Sequence, residues 1–373
     1  MPIVTIAGDL APVGRNLSIF ESRSFRSLVE LGLCPADGIA AANLECPLSD
    51  TGTPITKGGP NLRVPARMAG AIKEFGISTV SLANNHILDY GEKGLDETRE
   101  SLTREGIGWF GAGATREEAA KPLTVEAGGA RIEFFGFAEK EYNYSAKLGA
   151  GASILETPAL VRSLRGVKDS SFAIAMLHAG NEYFEYPSPW LRDTCRLAVE
   201  LGAKVVVCQH SHCIGSYERY AGGLIVYGQG NFVFDSASTR ESWWLGLLVQ
   251  LQIEEGTLKK FGFVPFRQDP GKNVVVPLED GPKEALLAAF EQRSMNLRDE
   301  ATYLELWDQF CERNRRMYQS HLFGLGKFSR RANKLLSFCD LVPRQGQRNI
   351  GNALRCQSHL EVLRHLYSRE KTC

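Results

Sequence analysis

Five strand-like stretches in succession each run into a side chain able to hold a metal ion. Asp9 follows Ile3–Ala7, Glu45 follows Ile39–Leu44, and Asn84-Asn85-His86 follows Ser78–Ala83. His178 follows Phe172–Leu177, and His210-Ser211-His212 follows Lys204–Cys208. Ligands of α/β proteins bind at the carboxyl ends of strands. An oxygen or an imidazole at each of these ends therefore ties the fold to a single polar site.

The remaining pattern fits a layered α/β architecture, with sheets in the centre and helices outside. Hydrophobic period predicts helices over Ser22–Leu31, Ala66–Phe75, Leu95–Glu105 and Trp190–Leu201, and a further strand over Arg131–Phe137. From Gly222 to Phe266 strands follow one another: Leu224–Tyr227, Trp244–Ile253 and Leu258–Pro265, with Glu254-Glu255-Gly256 as a hairpin turn. Beyond Val276-Pro277 strand formers thin out. Lys283–Leu322 reads as one or two helices, and Lys327–Phe338 and Asn349–Ser368 as helices. A boundary near residue 280 separates a catalytic region, 1–280, from a helical, basic extension, 281–373.

Taken singly, these polar residues have ordinary explanations. An aspartate after a strand commonly caps a helix or forms a turn, and an isolated histidine is commonly a satisfied, half-buried one. Together they form a ligand set. Neutral imidazoles and carboxylates bind divalent Zn, Mn, Fe or Ni, and the Asn85 amide oxygen adds a hard ligand. His210 and His212, alternate residues of one segment, can converge on an ion if the backbone is extended. A carboxylate between two ions can bridge them. The nine cysteines form no CxxC pair and lie away from the strand ends, which disfavours a thiolate zinc site. His86 reads differently, because Asp89 lies three residues on, where a turn of helix would let it orient the ring. An imidazole held by a carboxylate is the usual construction of a general acid or base. Asp89 as a cap for the helix Gly91–Glu105 is the competing explanation.

Several motifs, in this order, resemble the CapA-type family, which is named for capsule and poly-γ-glutamate synthesis and grouped with the calcineurin-like metallophosphoesterases. They are Gly8-Asp9, Asn43-Leu44-Glu45, Ala83-Asn84-Asn85-His86-Ile87-Leu88-Asp89-Tyr90-Gly91 and Gly111-Ala112-Gly113. His178-Ala179-Gly180-Asn181-Glu182, the segment from Gly202 to His212, and Tyr227-Gly228-Gln229-Gly230-Asn231-Phe232 complete the set. The resemblance covers residues 3–266. It implies a four-layer α/β/β/α calcineurin-like sandwich carrying a helical C-terminal extension, with a metal centre at the strand ends. Asp9 and His212 would hold one ion, Asn85, His178 and His210 a second, and Glu45 would bridge them. His86 would protonate a leaving group, and Glu182 and Asn231 would lie near the substrate. Two features depart from the phosphoesterase pattern. Asp9-Leu10-Ala11 lacks the histidine of the usual Asp-x-His, and Glu45 stands where an aspartate is usual. One site is then ligand-poor, which leaves open a single ion, or a harder one such as Ca or Mn. The expected cofactor is one or two divalent ions, with Mn, Zn, Fe and Ca not distinguished.

Balanced charge, 43 Lys and Arg against 43 Asp and Glu, lacks the signature of a nucleic-acid binder. The opening Met1–Ala7 reads as a buried strand rather than a signal peptide. No apolar run is long enough for a transmembrane segment, including the anchor common in capsule members. With scattered cysteines, the expectation is a cytoplasmic protein. Leu322–Phe338, which carries Lys327, Arg330, Arg331 and Lys334, either packs on the catalytic body or makes peripheral contact with an anionic membrane or polymer. Three activities fit. The leading one is metal-assisted hydrolysis of a phosphoester in envelope-polymer or secondary-metabolite biosynthesis. The second is peptide epimerisation or isomerisation by His/Asp pairs, His86 with Asp89 and Asp9 with His212. The third is a non-catalytic component of a polymer-synthesis complex. The substrate would be a small molecule, a peptide or a polymer.

Overall fold

The computed structural model describes residues 2–35, 38–145, 149–168, 170–323 and 344–368. Two sheets face each other. In the first, the parallel strands Ile3–Ala11, Ile39–Leu44, Thr79–Ser81 and Gly108–Phe110 lie side by side. Asn231–Phe234 pairs in parallel with Ile3–Ala11, and the antiparallel strands Leu245–Glu254, Thr257–Asp269 and Val274–Pro277 extend the other edge. The second sheet runs in the order Tyr217–Tyr220, Gly223–Val226, Val205–Gln209, Ser171–His178, Ala130–Ala138 and Leu123–Ala127, its central strands parallel.

Three apolar layers hold this arrangement. Val4, Ile6, Ala41 and Val249 of the first sheet meet Phe134, Phe172, Ile174 and Val205 of the second in the space between them. Behind the first sheet lie the helices Arg15–Ser22, Met68–Phe75 and Gly91–Arg104. There Phe20, Phe25 and Phe75 pack with ring centroids 4.9–5.3 Å apart, and Phe75 meets Phe232 at 5.7 Å. Outside the second sheet lie Thr157–Leu164 and Pro189–Glu200. The result is a four-layer α/β/β/α sandwich.

The helices after residue 280 share these cores. Asp280–Arg298 closes one end of the sandwich through Phe290, which stacks on Tyr217 at 5.1 Å and meets Phe263 at 4.9 Å. Glu300–Phe323 and Gln357–Ser368 add Tyr303, Trp307, Phe310 and Val362 to the layer outside the second sheet. Arg344–Arg355 packs against both. The stretch 324–338, with the basic residues of the proposed membrane contact and the expected helix at 327–338, lies outside the described residues.

Local differences from the sequence reading have physical causes. The helix expected over Ser22–Leu31 instead occupies Arg15–Ser22. Arg23 takes a left-handed conformation that ends it, and Phe25 folds back onto Phe20 and Phe75. Aromatic packing overrode the helical period there. The first strand runs past Ala7 to Ala11, so Asp9 lies inside it, at a register irregularity with its neighbours. The expected hairpin turn is formed by Glu255 and Gly256, both at positive φ, which suits the twist of a two-residue hairpin.

Gly8 sets the approach of the strand that carries Asp9. A methyl group there would meet the Gly230 carbonyl oxygen at 2.0 Å, across the pairing that sets Asp9 opposite Asn231. Gly8→Ala is predicted to lower stability by about 2 kcal/mol or more. The urea midpoint checks this, and a change under about 0.5 kcal/mol would show that the strands can part without cost.

Candidate metal centre

Strand register assembles the site from both sheets. In the first, Asp9 lies level with Asn43 on one side and Asn231 on the other. In the second, His178 lies level with Ala138 and Gln209, one residue before His210. The carboxyl ends of parallel strands therefore meet across the sandwich, and their polar side chains share one buried space: Asp9, Glu45, His178, His210 and His212 are at most 8% exposed.

Two groups of ligand atoms share Glu45. Asp9, Glu45 and His212 form one, and Glu45, His178 and His210 the other, with all ligand atoms in each within 4.8 Å of one another. Around His178 Nε2 the convergence is tight: Asn85 Oδ1 lies at 3.0 Å, His210 Nδ1 at 3.1 Å and Glu45 Oε1 at 3.4 Å. These atoms are all electron-rich, and protons alone cannot satisfy them together. Glu45 is fully buried, and neither of its carboxylate oxygens accepts a hydrogen bond. Leaving a buried carboxylate in this state costs several kcal/mol unless a cation supplies the missing partner. The residues present therefore fit a pair of divalent ions.

The neighbours hold these side chains in place. Asn43 Nδ2 donates to Asp9 Oδ1 at 2.7 Å and lies 3.0 Å from His178 Nδ1. Asn84 Nδ2 donates to Asn43 Oδ1 and to the Leu44 carbonyl. Asn231 Oδ1 lies 2.8 Å from His212 Nδ1 and its amide donates to the Trp243 carbonyl, so this side chain is turned to the histidine. Such contacts fix ring orientation beside a metal. His210 and His212 are not in extended backbone as their spacing had implied. Their φ values are 91° and 51°, conformations that non-glycine residues adopt only where surroundings impose them. Here the His210 N–H donates to Asp9 Oδ2 at 3.2 Å, and the Ser211 carbonyl accepts from the Tyr183 N–H at 2.7 Å.

His86 stands beside these groups. Its Nδ1 lies 2.6 Å from Asp89 Oδ2, so the Asp89 side chain turns to the imidazole and to the Leu62 N–H rather than capping the helix Gly91–Arg104. Lys57, which sequence reading passed over, is buried here. It forms an ion pair with Asp89 and places Nζ 3.0 Å from His86 Nδ1. Glu141 was also passed over. It lies 3.9 Å from His210 Nε2 and 3.4 Å from the Asn85 amide, accepts from Asn352 at 2.7 Å, and forms a third ligand group with Cys356 and His359. It follows the strand Ala130–Ala138, so the strand-end rule applied once more would have found it. Glu182 is exposed and lines the cavity that opens beside the centre.

Burial sets the charge states. It pushes His178 and His210 down to about 4, the neighbouring imidazoles adding to the effect. Burial alone would also depress His212, but the Glu45 and Asp9 carboxylates outweigh it and raise that group. Asp9 is raised, by burial first and then by Glu45. In the ion-free protein, His178 and His210 contribute stability that is lost as pH falls from about 6.5 toward 4, because only the unfolded chain takes up those protons. His212 acts oppositely, its share present below about 6.5 and lost as pH rises above its folded value. Nuclear magnetic resonance of metal-stripped protein should find two imidazoles still neutral at pH about 5 and His212 protonated above about 6.5. All three titrating together near 6.5 would contradict this electrostatic account.

The family model described as bacterial capsule synthesis protein PGA_cap matches residues 4–236. The chain is 26% identical over 281 residues to the capsule biosynthesis protein CapA of Bacillus anthracis, covering 72% of this chain and 68% of that protein. It is 27% identical over 198 residues to the PGA biosynthesis protein CapA of Bacillus subtilis strain 168, and so spans about half of that relative, 52% of each chain being covered. A 5'-nucleotidase from Candida albicans SC5314 aligns in structure with a TM-score of 0.42 and 12% identity, over 82% of this chain and 58% of that one. The family match runs from the first strand through Asn231, taking in both ligand groups around Glu45, and the chain belongs to the bacterial capsule synthesis family PGA_cap.

Proposed function

We infer that the protein is a metal-dependent hydrolase of a phosphoester, acting in the biosynthesis of an envelope polymer or a related secondary metabolite. The observation that carries this reading is the Glu45 carboxylate, buried, without a hydrogen bond and common to two ligand groups. Asp9 and His212 would hold one ion, Asn85, His178 and His210 the other, and Glu45 both. Ions bound there would supply Lewis-acid polarisation of a phosphoryl oxygen and a lowered pKa for water. The names of the two Bacillus relatives, capsule and PGA biosynthesis, support the polymer setting. None of the described helices is long and apolar enough to cross a membrane.

The chain's own residues supply the proton chemistry. With Nδ1–H donated to Asp89, the imidazolium form of His86 would carry its transferable proton at Nε2. Lys57 neutralises Asp89 and keeps its carboxylate in place. His86 would then give its Nε2 proton to the departing ester oxygen, the step in which general acids contribute about 10²–10⁴-fold. Asn43 and Asn231 hold Asp9, His178 and His212 in position and take no part in proton transfer.

Phosphate release from aryl phosphates by metal-reconstituted protein tests the reading. His86→Asn should keep its metal and lose about 10²–10⁴-fold in kcat. Solvent deuterium appearing at a substrate carbon with no bond broken would move the protein to the epimerase class. Binding of polymer without turnover, unchanged by metal removal, would make it a non-catalytic component.

A further inference from the structure

A cavity of about 470 Å³ opens beside the ligand groups, lined on one side by Glu141, Glu182 and Tyr183. The helices beyond residue 280 form its other side, through Arg313 and Asn314 of Glu300–Phe323, Asn352 of Arg344–Arg355 and His359 of Gln357–Ser368. The helices are tied to the metal-centre loops by buried and half-buried hydrogen bonds. Asn352 donates to Glu141, the Asn181 amide donates to Tyr318 Oη at 3.0 Å, and the Ser358 N–H donates to Glu139 at 2.7 Å. The wall is thus fixed relative to the ligands.

Two guanidiniums line this cavity, Arg240 standing 4.5 Å over the Tyr183 ring and Arg313 on the helical wall. Among the described residues neither lies within ion-pair distance of a carboxylate. Arg192, Arg196 and Arg293, in the same half of the molecule, are all paired. A guanidinium offers a planar fork of donors matched to carboxylate and phosphate. Glu141 and Glu182 line the same cavity without pairing to either arginine, so both forks are open to an anionic group of a ligand. Arg240, Arg313 and the helical wall all lie beyond residue 236, where the family match ends.

We propose that the cavity receives the leaving-group portion of the substrate, and that Arg240 and Arg313 select substrates carrying a second anionic group, a carboxylate or a phosphate, remote from the reacting phosphoryl. This rests on the phosphoester reading above. The reacting phosphoryl group sits at the ligand groups, and the rest of the molecule extends along Tyr183 toward the helices. Both arginines are exposed, so replacing them leaves the cores untouched.

Binding, rather than turnover, tests the proposal. Calorimetry on metal-loaded protein would compare phenylphosphonate with para-carboxyphenylphosphonate and para-phenylenebisphosphonate. Wild type should bind at least one doubly anionic probe about tenfold more tightly than phenylphosphonate, a difference near 1.4 kcal/mol. The better of the two identifies the second group as carboxylate or phosphate. Arg240→Gln/Arg313→Gln, with its thermal midpoint as the folding control, should reduce that ratio to within about twofold. Equal affinity for all three probes in wild type, or a preference that survives in the double variant, would overturn the proposal. Terephthalate, which has no phosphoryl group, separates the two readings. If it binds in an arginine-dependent way while no phosphonate binds, the anion site stands and the phosphoester reading falls.

Discussion

The Glu45 carboxylate, sealed from solvent and accepting no hydrogen bond, sits where the carboxyl ends of parallel strands from two facing sheets meet. In a water-poor space a bare negative charge is unfavourable, and Asp9 beside it makes matters worse, as its raised pKa records. Two of the surrounding imidazoles, His178 and His210, are pushed toward neutrality by the same burial, while the two carboxylates hold His212 toward its charged form. A divalent cation held by these groups would supply the partner that Glu45 lacks. The left-handed backbone at His210 and His212, the asparagines beside His178 and His212, and the close approach of Gly8 to Gly230 set the positions of these groups. These features hold in place a geometry that is costly until it is filled.

Strand ends made the site legible in the sequence. The residues after five strands were readable one by one, because a strand's direction fixes which end its functional residues occupy. The structure gathers all of them around Glu45 or beside it, with His86 held by Asp89 as their spacing implied. Asn43, Lys57 and Glu141 escaped for different reasons. Asn43 shares its motif with Glu45 but does its work through two other strands, a relation set by register. Lys57 lies in an irregular loop, where nothing in the local pattern distinguishes a buried lysine from a solvated one. Glu141 lies three residues past the end of the strand Ala130–Ala138, in a loop rather than directly at the strand end.

Fold was legible where period and turn chemistry agree, as in the hairpin at Glu255-Gly256, and illegible where tertiary packing decides. Phe25 turning back onto Phe75 displaced a helix by a whole element, and no local propensity encodes that contact. The helices beyond residue 280 show the same limit on a larger scale. Their composition implied helices. It did not reveal that Asn352, Tyr318 and Ser358 would reach across the second sheet to the loops of the metal centre. A region that sequence reading set apart is thereby part of the wall around the site.

Elemental analysis of reconstituted wild type beside Glu45→Ala measures the central claim most directly. A carboxylate common to two ligand groups predicts about two transition-metal equivalents per chain. Its removal should weaken both sites and leave less than about one, while the circular dichroism of the fold is kept. A reconstituted wild type that retains no metal, or a Glu45→Ala variant that retains both ions, would contradict the account.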